Sequence, residues 1–74
     1  MNIAKRDNEI VASFVAEMID RIRFFSKGRI PEPIIPYLAE YEVNRLDFNS
    51  TEQMHKGIGY YAMMAVNRYL REVN

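Results

Sequence analysis

Ile10, Val11, Phe14, Val15, Met18, Ile19, Ile22 and Phe25 recur at intervals of three and four residues. That spacing gathers side chains on one side of a helix and commits the first third of the chain to an amphipathic α-helix. No other run alternates as a strand would, so the partners of this helix have to be helices as well. Asp7 or Asn8 is placed to cap its start, and Gly28, flanked by Lys27 and Arg29, supplies a mechanism for its end near Ser26.

Ile30-Pro31-Glu32-Pro33 follows as a linker of fixed direction, with Ile30 and Glu32 expected to be extended because each precedes a proline. Pro33 or Pro36 can sit in the first turn of a second helix over about residues 34–46, with Ile34, Tyr37, Leu38 and Tyr41, and Phe48 beyond, as its apolar face. Asp47-Phe48-Asn49-Ser50 then breaks the pattern. Ser50 and Gln53 form a capping box for a third helix running from Thr51 towards Val73. Gly57 and Gly59 each weaken that helix and mark either a close approach of a neighbouring backbone or a break.

The expectation is therefore an all-α protein, a compact three-helix bundle forming one domain over residues 1–74 and self-associating through its third helix. Size supports the last point: a chain of 74 residues with no cysteine has a small core and no disulfide to reinforce it, so oligomerisation is a natural stabiliser. The absence of cysteine also fits a reducing, cytoplasmic setting. The N-terminus lacks the apolar core of a signal peptide. The longest apolar-plus-glycine run, Gly57 to Val66, falls well short of the roughly 20 residues that span a bilayer, and membrane partners are not expected.

The third helix carries apolar groups on two sides. Met54, Ile58, Tyr61, Ala62, Ala65, Tyr69 and Val73 share one face, while Tyr60, Met63 and Met64 project from the other. Either this helix lies at the centre of the bundle with both faces covered, or the second face meets another molecule. Tyrosine and methionine are side chains that interfaces favour, and Phe24, on the far side of the first helix, adds an exposed aromatic. Phe24, Tyr60, Met63 and Met64 are accordingly the candidate protein interface, with a homodimer favoured and a different protein partner as the other occupant.

Chemistry finds less support. His55 is the one histidine, and Ser13, Ser26, Ser50 and Thr51 read as caps or helix surface, so no catalytic residue is assigned. Glu40, Glu42, Asp47 and Glu52 match no metal-ligand spacing and read as solvated surface, and no cofactor or metal is expected. Gly57-Ile58-Gly59 lacks the preceding strand and following Lys-Ser/Thr of a phosphate loop.

Nucleic acid is the alternative reading. Arg21, Arg23, Lys27 and Arg29 cluster at the end of the first helix, and the second helix, the break and the start of the third trace a helix-turn-helix outline for a transcriptional regulator. Counted from Ala39, however, the motif's glycine and apolar positions fall on Val43 and Asn49. Charge is balanced overall at ten basic and ten acidic residues, and the acids crowd the middle segment, around the helix that would read bases.

Overall fold

The computed structural model describes the backbone over residues 3–73 and the side-chain packing over residues 9–73. It holds three helices, α1 (Ile3–Ser26), α2 (Ile35–Arg45) and α3 (Thr51–Val73), with one 3-10 turn at Glu32–Ile34 ahead of α2. There is no strand among the described residues, and the fold is the all-α three-helix bundle that the spacing implies.

α1 begins earlier than expected, so Asp7 and Asn8 fall inside it instead of capping it, and their side chains lie outside the described residues. Its end is a tight reversal in which the Arg29 N–H donates to the Ser26 carbonyl at 3.0 Å. Both central residues have positive φ, 53° at Lys27 and 81° at Gly28. Glycine adopts that region without cost and lysine does not, so the turn leans on Gly28. Ile30 then inserts into the core. Glu32 departs from the extended conformation expected before proline. It enters the 3-10 turn, where its carboxylate is held by the Arg23 guanidinium at 3.1 Å. Pro36 occupies the first turn of α2, where its missing N–H leaves no hydrogen bond unmade.

α2 runs back along α1. Its start is tied to the end of α1 by Arg23 and Glu32, and past its end Phe48 stacks on Phe14 with ring centroids 5.0 Å apart and planes 17° from parallel. α3 turns again, leaving the Phe14 region and bringing Arg68 back to Glu42 of α2. The central element is α1, which packs along both other helices, whereas α2 and α3 meet over a shorter stretch. α3 is not the covered middle helix.

The core consists of Met18 and Ile22 from α1, Ile30 from the linker, Ile35, Ala39 and Val43 from α2, and Ala62, Ala65 and Val66 from α3. α2 and α3 contribute Ala39, Ala62 and Ala65 to this core beside the larger Met18 and Ile22 of α1. The expected apolar side of α2 holds in part: Ile34, Leu38 and Phe48 pack against the core, but the most deeply buried residues are others. Ile35, Ala39, Glu42 and Val43 face inwards, while Tyr37 and Tyr41 stand 76% and 57% exposed. Val73 is exposed as well, beyond the end of the packed region.

At the start of α3 the Ser50 hydroxyl accepts the Gln53 N–H at 3.2 Å, half of the expected capping box. The reciprocal half is replaced: the Gln53 side chain reaches past Ser50 and accepts the Asp47 N–H at 2.8 Å, while the Ser50 N–H donates to the Asp47 carbonyl. The turn and the helix start are thereby fastened to each other. α3 itself is interrupted at Gly57, whose φ of 85° and ψ of 162° leave the helical region altogether. A Cβ at Gly57 or at Gly59 would meet nothing within 4 Å, so neither glycine makes room for a neighbouring backbone. Gly57 serves the break, and the segment 51–56 is a short helix set apart from 58–73.

Candidate functional site

Past the break, residues 58–73 turn Ala62, Ala65 and Val66 to the core and leave the opposite side to solvent. Tyr60, Met64, Asn67 and Arg71 follow one another along that outward side at steps of four, three and four residues, with Met63 beside them. Tyr60, Met63 and Met64 are between 42% and 46% exposed. Tyr60 is fixed by its neighbours, its ring edge-on to Tyr61 at 5.0 Å and the Lys56 ammonium 4.9 Å from its centroid.

The strip continues across the seam onto α2. Tyr41 lies under two guanidinium groups, that of Arg45 at 5.3 Å and that of Arg68 at 5.9 Å from its ring centre. Arg68 also forms an ion pair with Glu42, whose side chain is only 7% exposed. Glu42 is thus no solvated surface residue. A carboxylate removed from water needs a compensating cation, and the interior-facing register of α2 together with Arg68 of α3 supplies it.

Three hollows are strung along this surface. The first, of about 190 Å³, lies at the Gly57 break and is walled by Phe14, Leu46, Met54, Ile58 and Tyr61. The second, also about 190 Å³, shares Leu46, Gln53 and Tyr61 with the first and adds Arg45, Met64 and Arg68. The third, of about 290 Å³, takes over Met64 and Arg68 and ends at Asn67 and Arg71. Neighbouring hollows share walls and so follow one another as a shallow trough, apolar at the Gly57 end and cationic at the Arg71 end, with Met64 of the strip among its walls and Tyr60 and Met63 outside them.

Of the four residues expected to form an interface, the structure gathers Tyr60, Met63 and Met64. Phe24 is 71% exposed and touches Phe25 edge-on at 5.3 Å, and it lines none of the three hollows described above. Sequence reading missed Tyr37, Tyr41, Arg45, Arg68 and the Glu42 pair. The tyrosines carried a usable signal, since they repeat at four residues on the side of α2 opposite Ile35, Ala39 and Val43. Glu42 and Arg68 carried none.

The basic cluster of the alternative reading is partly neutralised. Arg21 pairs with Glu17 at 3.8 Å, and Arg23 with both Asp20 at 3.5 Å and Glu32 at 3.1 Å, leaving Lys27 and Arg29 in the reversal after α1. The segment that would enter a groove of DNA stops at the Gly57 break. The hydroxyls considered for catalysis are engaged in structure where they are enclosed: Ser26 donates to the Arg23 carbonyl at 3.2 Å, and Ser50 caps α3. Among the described residues no group of three or more His, Cys, Asp or Glu side chains is placed to hold a metal ion, and no helix is long and apolar enough to cross a membrane. Comparison with protein-family models, with curated proteins and with solved structures gives no match.

Proposed function

We propose that the protein is a non-catalytic interaction protein that acts by occupying the surface of another macromolecule through its α2–α3 face. The observation that carries this reading is the strip of Tyr60, Met63 and Met64, turned away from the core, in which Met64 shares a hollow with Arg68 and Arg68 reaches Tyr41 across the seam. Exposed aromatic and thioether side chains beside arginine are the composition of interface centres. Isolated exposed apolar groups are ordinary, but three gathered on the outward side of one helix, with Met64 among the walls of a trough, are not. A regulatory role follows from the same feature, since a domain this small changes another molecule's behaviour chiefly by covering part of it.

Photocrosslinking in cells tests the reading. The chain with benzoylphenylalanine at Tyr60 should give discrete macromolecular adducts, and the chain with the same group at Ser13, exposed on α1, should not. Absence of adducts at Tyr60, or equal adducts at both positions, would overturn it.

A further inference from the structure

The trough is sorted by charge in a way that selects its occupant. Its charged walls are Arg45, Arg68, Arg71 and Glu42, and Glu42 is buried and already paired with Arg68. Lys56 adds a fourth cation against Tyr60. Asp47, near the shared wall, is turned into its own loop, accepting the Asn49 N–H at 3.0 Å. Arg45 is exposed and has no carboxylate partner among the described residues. From this arrangement we infer that the trough binds an acidic amphipathic segment of another protein, seating an apolar side chain among Phe14, Met54 and Ile58 and carboxylates against Arg45 and Arg71.

Two other occupants fit less well. In a two-fold contact between copies of this chain through the trough, a parallel pairing sets the cations of one copy against those of the other, and an antiparallel one sets Arg71 against the apolar hollow of its partner, so neither gives Arg45 and Arg71 a carboxylate. A single nucleic-acid strand binds by stacking bases on open aromatic rings, yet Tyr41 and Tyr60 already carry guanidinium and ammonium groups over theirs. A nucleic acid also leaves the thioether of Met64 and the apolar first hollow unused. An amphipathic peptide uses both ends. Ile58 to Arg71 spans roughly 20 Å at about 1.5 Å per helical residue, the length of a helix of about 14 residues laid alongside.

The inference rests on the interaction reading above, and the two fail differently. A displayed library of random peptides of about 16 residues, enough to span the trough as a helix, is selected on the immobilised full chain. The counter-selection uses the chain carrying Arg45→Glu and Arg71→Glu. Enriched peptides should be net acidic with apolar residues grouped towards one end. The best of them, followed by fluorescence anisotropy, should bind about tenfold or more weakly to the double variant. Its binding to the unaltered chain should also weaken as salt is raised, a readout that does not depend on any variant folding. Neutral or basic winners, no winners, or salt-insensitive binding would overturn the inference. So would a poly(dT) strand that binds equally well with the same dependence on Arg45 and Arg71. Tyr60 adducts consisting only of a second copy or of nucleic acid would sink the acidic partner while leaving the interaction reading standing, whereas no adducts would remove both.

Discussion

Gly57 and Gly59 are two residues apart, yet substitution should act on them in opposite directions. At Gly57 the backbone occupies a region essentially reserved for glycine, so Gly57→Ala should cost about 1–3 kcal/mol even though the added methyl has open space. At Gly59 the backbone is helical and the space is equally open, so Gly59→Ala should stabilise by roughly 0.5–1 kcal/mol. Urea denaturation of the two variants decides the matter, and a shift of the same sign in both would contradict the break. Glu42 offers a second contrast. Glu42→Gln removes the countercharge of half-enclosed Arg68 and should destabilise by about 1–3 kcal/mol, while Glu40→Gln, on the exposed side of the same helix, should stay within about 0.5 kcal/mol. Equal effects in thermal unfolding would mean that the ion pair contributes nothing to the seam.

At the scale of elements, the starts and stops of the helices are set by short signals. The Ser50 cap is the cleanest of these, and Ser50→Ala should lower stability by about 1 kcal/mol with circular dichroism showing the loss concentrated in fraying, not in a new fold. The same locality explains what could be read from the residues. The α1 stripe was legible because large aliphatic side chains mark it without competition. The α2 face was legible only in part, because Tyr37 and Tyr41 count as apolar by composition while their hydroxyls and ring faces are better served by solvent and cations. The true seam used Ala39, which gives little periodic signal, and Glu42, whose burial depends on Arg68 far along the chain. For the candidate site, Tyr60, Met63 and Met64 were legible as a second face. The trough beside them was not, since its walls come from α1, α2, the turn and α3 and meet only in the folded chain.

On the scale of the whole molecule, the bundle is a slab of 45 × 26 × 18 Å, little more than two helices thick, and its cationic trough lies along the α2–α3 seam. Since like charges oppose a parallel pairing through that seam, any dimer that light scattering finds during gel filtration, twice the 8.7 kDa of one chain, should survive Met64→Glu. A dimer that persists in Met64→Glu would place self-association on some other surface, and one abolished by it would place the contact on the trough. A bound acidic segment should raise the melting temperature, because a ligand that binds only the folded state adds its binding free energy to a small core. The interruption at Gly57 has one further result. In an unbroken helix, adding or deleting one residue swings everything beyond it by about 100°. Here the residues on either side of Gly57 are geared separately, so the direction in which 51–56 faces is set independently of the outlook of Tyr60, Met64 and Arg71. That short segment can thus turn Gln53 and Met54 into the walls of the hollows, and Lys56 against Tyr60, without dragging the helix beyond it out of its seat on the core.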